Sequence, residues 1–125
     1  MDANDFTRDL TDAQELMRKE NYIEALVILN KLKEADKAGD FDYNLTHKLY
    51  QLISNSQSLY NQQRVLSVVK KISLEQKSIS FNALNEILKK QENVELDELI
   101  LRREVEILIL RSLLDVKIKG NDLVF

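Results

Sequence analysis

The chain contains no proline and only two glycines, Gly39 and Gly120, among its 125 residues. An average soluble chain of this length contains about six prolines and about nine glycines. Proline breaks the interior of a helix and glycine weakens it, so a chain that nearly omits both is suited to helices joined by short polar turns. The sequence therefore predicts a mainly α domain, a compact bundle of five or six helices.

Residues that commonly carry chemistry are also scarce. There is no cysteine, which excludes disulfides and thiolate metal sites within the chain, and His47 is the only histidine. The two glycines lie too far apart to form a glycine-rich phosphate loop. A serine nucleophile would need a nearby base, and His47 lies beside Leu45 and Leu49 in a predicted helix. We therefore predict a protein that is not an enzyme and has no cofactor and no metal.

Long apolar runs are missing as well. No run approaches the roughly 20 apolar residues of a membrane span. The first five residues include two aspartates and no base, with no apolar segment behind them, unlike a secretory signal. These features predict a cytoplasmic or nuclear protein with no membrane partner.

The net charge is only −3, but its distribution along the chain is uneven. Residues 1–42 contain 11 acidic and 6 basic residues, residues 43–91 contain 2 and 7, and residues 92–125 contain 8 and 5. Such asymmetry either marks a face that binds a partner or reflects packing of the basic segment between acidic neighbours.

Apolar residues recur at steps of three and four along the first half of the chain, which is the helical pattern. They predict helices over about residues 5–20, 22–38 and 42–53, and Gly39 is placed to end the second. The polar residues 54–58 predict a break, followed by a fourth helix that ends near residue 72.

The second half begins with a helix start at Ser80, where Ile79 and Leu84 have the spacing of a hydrophobic staple. Residues 94–114 show a helical pattern without a clear breaker, so they form either one helix or two helices bent near residues 102–103. Alternating apolar and lysine residues then precede Gly120, which predicts a small C-terminal β-hairpin, with an irregular tail as the alternative.

Two stretches resemble known families. Ala13-x-x-Leu16 followed by Asn21-Tyr22-Ile23-Glu24-Ala25-Leu26 is similar to the turn of a tetratricopeptide-like helical hairpin. A second such turn, Gly39-Asp40-Phe41-Asp42-Tyr43-Asn44-Leu45, follows after only 19 residues, so a tandem array with the usual period near 34 residues is not indicated. A separate resemblance is to the small helical bundles at the N-termini of transcription elongation factors, although their usual tryptophan is missing.

The C-terminal half resembles the winged-helix portion of PCI domains, over about residues 60–125. The resemblance lies in Leu66-Ser67-Val68-Val69, Ile79-Ser80-Phe81-Asn82-Ala83-Leu84, Val105-Glu106-Ile107-Leu108-Ile109 and Lys117-Ile118-Lys119-Gly120. The span between Leu88 and Val105 is longer than in that family, the last wing strand is short, and the typical Asp-Gln after the first wing strand is missing.

PCI domains build scaffold subunits of the proteasome lid, the signalosome and an initiation-factor complex. The resemblance implies helical hairpins followed by a winged helix, in a module that assembles edge to edge with its neighbours. We accordingly expect one domain over residues 1–125, with a subdivision into helical hairpins (1–75) and a winged-helix-like part (76–125).

Two segments, residues 26–29 and residues 107–114, carry apolar side chains on nearly every side of a helix. Such a helix is buried all round, either in its own core or against a partner. We predict a non-catalytic adaptor or scaffold subunit that binds other protein subunits or forms a homo-oligomer. The candidate partner-binding residues are Ile107, Ile109, Leu110, Leu113, Arg64, Lys70 and Lys71.

The alternative function is a nucleic-acid-associated helical module, related to transcription or RNA, that uses the basic central segment. Binding to phosphates requires clustered cations on an element that fits a groove. Six cations are spread over residues 64–90, and few aromatic residues accompany them. The sequence therefore favours a protein partner over nucleic acid.

Overall fold

A computed structural model describes residues 1–125 and contains five helices and one three-stranded sheet. The helices are α1 (Ala3–Arg18), α2 (Tyr22–Ala38), α3 (Tyr43–Ser73), α4 (Phe81–Gln91) and α5 (Glu98–Leu110). The strands are β1 (Ser78–Ser80), β2 (Lys117–Lys119) and β3 (Asp122–Val124). The prediction of a mainly α fold with a small C-terminal β-hairpin is confirmed.

The chain forms two compact units, Met1–Tyr60 and Asn61–Phe125. The division between them lies inside α3, whereas the sequence suggested a subdivision after residue 75. The helix runs through the division because residues 43–73 contain neither proline nor glycine.

The first unit is built around α1, α2 and the beginning of α3. Helix α1 begins two residues earlier than expected, because the side chain of Asp2 accepts a hydrogen bond from the backbone N–H of Asp5 at 2.8 Å. The chain leaves α1 through Glu20, which has a φ of 62°. The core of the unit consists of Phe6, Leu10, Ala13, Leu29, Leu32, Leu49 and Leu52.

Helix α3 is a single helix of 31 residues, so the predicted break at residues 54–58 is wrong. Serine, asparagine and glutamine lower helix propensity by only a few tenths of a kcal/mol each, so they do not end a helix that tertiary packing supports. Ser56, in the middle of this polar stretch, is fully buried. The stretch is therefore part of a packed helix rather than an exposed turn.

Of the two alternatives for residues 94–114, one helix or two bent helices, the structure has one helix, α5. It is shorter than the stretch over which the apolar pattern extends. It begins after Asp97, whose Oδ1 accepts a hydrogen bond from the backbone N–H of Ile100 at 2.9 Å. It ends before Ser112, which has a φ of 61°. A carboxylate cap at one end and a left-handed residue at the other therefore limit the helix to Glu98–Leu110.

The sheet has the strand order β1-β3-β2, with both pairs antiparallel. The hairpin of β2 and β3 turns at Gly120, which has a φ of +60°. Strand β1 adds a third strand that the sequence did not predict, and its Ile79 lies opposite the fully buried Leu123. Ser80 caps α4 as predicted, since its hydroxyl accepts a hydrogen bond from the N–H of Ala83 at 3.1 Å.

In the second unit the elements follow one another as helix, strand, helix, helix and β-hairpin. Helix α4 buries Phe81, Leu84 and Leu88. Helix α5 buries Leu101, Val105 and Leu108, together with the charged Glu104.

Candidate protein-binding surfaces

The side of α5 opposite its buried leucines is exposed to solvent. Leu99, Arg103, Glu106 and Leu110 lie on this side, and at 3.6 residues per turn they fall within about 60° of one another. We call these four residues the α5 stripe. Leu99 is 78% exposed and Leu110 is 83% exposed, which is unusual for large apolar side chains at both ends of one helix face.

Three of the predicted partner-binding residues lie beside or within this stripe, and Leu113 follows the end of α5. Ile107 and Ile109 are half-buried at its flanks, whereas Leu110 and Leu113 are exposed. Leu99 was not among the residues predicted to bind a partner. The apolar pattern of residues 94–114 places Leu99 on the same helix face as Leu110, but it does not reveal that this face is exposed.

Arg103, in the centre of the α5 stripe, contacts a buried carboxylate. The Nε–H of Arg103 donates a hydrogen bond to Oε1 of Glu104 at 3.2 Å, and Glu104 is fully buried while the Arg103 side chain is 59% exposed. This contact uses one of the five N–H donors of the guanidinium. The arginine is thus oriented by a buried carboxylate, while more than half of its side chain stays exposed.

The three predicted basic residues lie along the C-terminal half of α3. Lys70 and Lys71 are exposed in its last turn, where cations are favoured by the helix dipole. Arg64 is half-buried and forms an ion pair with Glu92, with Nη1 3.5 Å from Oε2. Arg64 therefore has a structural partner within the second unit.

A cleft of about 220 Å³ opens next to Lys71. Its lining consists of Val68, Lys71, Ile72, Glu75, Gln76, Ile87 and Gln91. Lys71 is the one cation and Glu75 the one anion of this lining, so the cleft does not present a cluster of positive charge.

The first unit exposes a second pair of apolar side chains, on α2. Ile23 is 58% exposed and Val27 is 59% exposed, and four residues separate them, so they lie on the same helix face. The apolar segment 26–29 is therefore divided between two sides of α2: Leu29 is fully buried in the core, and Val27 faces solvent.

His47 lies on the exposed surface of α3. The ring of Tyr43, which is 77% exposed, stacks against His47 with 6.0 Å between the ring centroids and 16° between the planes. The chain contains no group of three or more histidine, aspartate or glutamate side chains placed to hold a metal ion. None of its helices combines the length and the apolarity needed to cross a membrane.

No protein-family model matches the chain, and neither the curated proteins nor the solved structures contain a significant match. The resemblance to PCI domains therefore stays a prediction, and the surfaces described above must be interpreted from their own chemistry.

Proposed function

We propose that this protein is a non-catalytic adaptor or scaffold subunit that binds other protein subunits, in the cytoplasm or the nucleus. The observation that carries the proposal is a pair of exposed apolar side chains on one helix face in each unit. These pairs are Ile23 with Val27 on α2, and Leu99 with Leu110 on α5. Single exposed apolar residues are ordinary, but apolar anchors repeated along one helix face are a recurring way for a helix to dock against another protein.

The division into two units supports a scaffold role in particular. Each unit has its own buried core and its own exposed apolar pair. One chain could therefore hold two partners, one through α2 and one through α5. The second unit has the element order helix, strand, helix, helix and β-hairpin, which is that of a winged helix. This order agrees with the resemblance to PCI scaffold subunits, which build multi-subunit assemblies.

The nucleic-acid alternative has weaker support from the surface charges. In helix-turn-helix proteins the second helix of the motif enters the major groove. The helix in that place here, α5, carries exposed Glu98 and Glu106 beside Arg103. Carboxylates there would repel phosphates, and binding to the backbone depends on cations. Lys117 and Lys119 on β2 are exposed, but Asp122 lies directly opposite Lys119 in the sheet.

The test is capture of partners from an extract of the native source on the immobilised full chain. Three proteins are compared: the unchanged chain, Val27→Glu on the α2 face, and the control Leu74→Glu. Leu74 is 87% exposed and belongs to neither apolar pair. Leu74→Glu therefore makes the same kind of change, from an exposed apolar side chain to a carboxylate, outside both proposed docking faces. We expect mass spectrometry to identify proteins that the unchanged chain and the control retain and that Val27→Glu loses.

A captured protein is then purified and mixed with the chain, and the complex is measured by size-exclusion chromatography with light scattering. The proposal expects a defined stoichiometry and little change with added salt. Retention of nucleic acid alone, or binding that falls steeply as salt rises, would indicate the nucleic-acid alternative instead. Identical retention by all three proteins would overturn the role of the α2 face.

A further inference from the structure

The α5 stripe has a symmetric order of residues. Leu99, Arg103, Glu106 and Leu110 are separated by four, three and four positions, with a leucine at each end and opposite charges at the centre. When a second copy of the stripe is aligned with the first in the opposite direction, each leucine lies opposite a leucine and each charge lies opposite a charge of the other sign. The stripe is therefore complementary to an antiparallel copy of itself.

We propose that the α5 stripe is a self-association surface, on which a second copy of the chain docks its own α5 in an antiparallel orientation about a twofold axis. Leu99 of each copy then contacts Leu110 of the other, and Arg103 of each copy pairs with Glu106 of the other. The same patch serves both copies, as in any twofold-symmetric dimer. This deepens the proposed function by assigning the occupant of one of its two surfaces.

The charges select the antiparallel orientation. If the two helices were parallel about a twofold axis, Arg103 would face Arg103 and Glu106 would face Glu106. Like charges in direct contact are unfavourable, and opposite charges determine register and orientation between helices. Antiparallel helices also place the positive end of one helix dipole beside the negative end of the other.

The spacing of the stripe suits contact between two helices. Intervals of four, three and four residues are those of the apolar positions of a heptad, which keep one seam facing a partner helix. Helix α5 has 13 residues, so the seam is about 20 Å long. Ile107 and Ile109 lie at the flanks of the seam and would gain further burial.

Arg103 is prepared for such a pairing by its contact with Glu104. The Nε–H is held by the buried carboxylate at 3.2 Å, which leaves both terminal nitrogens for the carboxylate of Glu106 in the other copy. Arginine and carboxylate commonly pair through two parallel hydrogen bonds. The orientation of the side chain before association reduces the conformational entropy that docking would lose.

The expected dimer is weak. Two helices of about 20 Å bury less than the roughly 1,600 Å² of a standard stable interface. We therefore expect a dissociation constant in the micromolar range, on the order of 10 to 100 µM. Association should be visible by sedimentation equilibrium of the purified full chain over concentrations that span this range.

The first experiment compares the unchanged chain with Leu110→Lys and with the control Leu74→Lys. Lysine is favoured at the C-terminal end of a helix, so Leu110→Lys should retain the fold, which circular dichroism melting checks. The control replaces an equally exposed leucine away from the stripe. We expect the dissociation constant to rise at least about tenfold for Leu110→Lys and to stay unchanged for Leu74→Lys.

The second experiment exchanges the charges. Arg103→Glu and Glu106→Arg each create like-charge contacts in their own dimer, so each alone should associate at least about tenfold more weakly. An equimolar mixture of the two variants restores opposite charges at both contacts and should form a heterodimer. Glu86→Arg, an exposed charge reversal on α4, is the matched control and should dimerise like the unchanged chain.

Arg103→Glu also places a carboxylate beside the buried Glu104 and can lower stability. Glu106→Arg and Leu110→Lys leave that contact intact, so they decide the question if Arg103→Glu does not fold. The proposal is overturned if the unchanged chain is monomeric throughout, or if neither of these two variants weakens the dimer. It is also overturned if folded Arg103→Glu and Glu106→Arg do not associate when mixed. The measurements need no other protein, so their failure is separate from a failure to capture partners.

Discussion

The guanidinium of Arg102 lies over the ring of Phe81, with Cζ 4.5 Å from the ring centroid. The Nη2 of the same guanidinium donates to the carbonyl oxygen of Gly120 at 3.0 Å and to Oδ1 of Asn121 at 3.3 Å. The backbone N–H of Phe81 donates to the carbonyl oxygen of Asn121 at 2.8 Å. One side chain of α5 therefore connects the start of α4 to the turn of the β-hairpin.

Arg102→Ala should destabilise the second unit and loosen the hairpin. The change removes a cation–π contact and two hydrogen bonds at a partly exposed position, worth together about 1 to 2 kcal/mol. Arg102→Lys keeps the charge but not the planar guanidinium, so it should lower the stability less than Arg102→Ala does. Urea unfolding measures the stability, and amide exchange in β2 and β3 measures the hairpin. Equal stability of the alanine variant and the unchanged chain would contradict the role of this side chain.

Ser56→Ala should stabilise the protein. The hydroxyl of Ser56 is buried and has no hydrogen-bond partner, and serine is a poorer helix residue than alanine. Removing an unsatisfied buried hydroxyl relieves a desolvation cost, so we expect a gain of about 1 kcal/mol in the free energy of unfolding. Ser54→Ala is the control: Ser54 is exposed on the same helix, and its gain should reflect helix propensity alone. A gain at residue 56 no larger than at residue 54 would contradict the expectation.

Gly120→Ala should weaken the hairpin through backbone strain rather than through a clash. Gly120 has a φ of +60°, and a Cβ placed there would meet nothing within 4 Å. A residue with a Cβ loses about 1 kcal/mol in this conformation, whereas asparagine tolerates it better. The melting temperature should therefore be highest with glycine at this position, lower with asparagine and lowest with alanine. An alanine variant as stable as the unchanged chain would show that the turn adopts another conformation.

The helical parts of the fold were largely predictable, because their signals are local. The stripe that begins at Phe6 and the apolar set of α2 located two helices to within two residues. The break expected at residues 54–58 was wrong because burial of Ser56 depends on tertiary packing, which local propensity does not reveal. Strand β1 was missed because three residues are too few to show an alternating pattern, and its pairing partner, β3, follows some forty residues later.

The candidate surface was predictable only in part. Leu110 and Leu113 were expected to contact a partner and are exposed, but Ile107 and Ile109 proved half-buried. An apolar run such as residues 107–110 does not indicate which of its sides packs inward until the helix axis is placed. Leu99 and Leu110 are eleven positions apart and share a face of any helix that contains both, but only the structure shows that this face is exposed.

Substitutions in the apolar run of α2 can measure how the stability contributions of its buried and exposed sides differ. Leu29 is fully buried, whereas Val27 is 59% exposed, although only one residue separates them. Leu29→Ala should lower the free energy of unfolding by about 3 kcal/mol, since it leaves a cavity in the core of the first unit. Val27→Ala should change it by less than about 0.5 kcal/mol. Comparable losses for the two variants in urea unfolding would mean that the Val27 face is covered, and a covered face could not serve as the α2 docking surface.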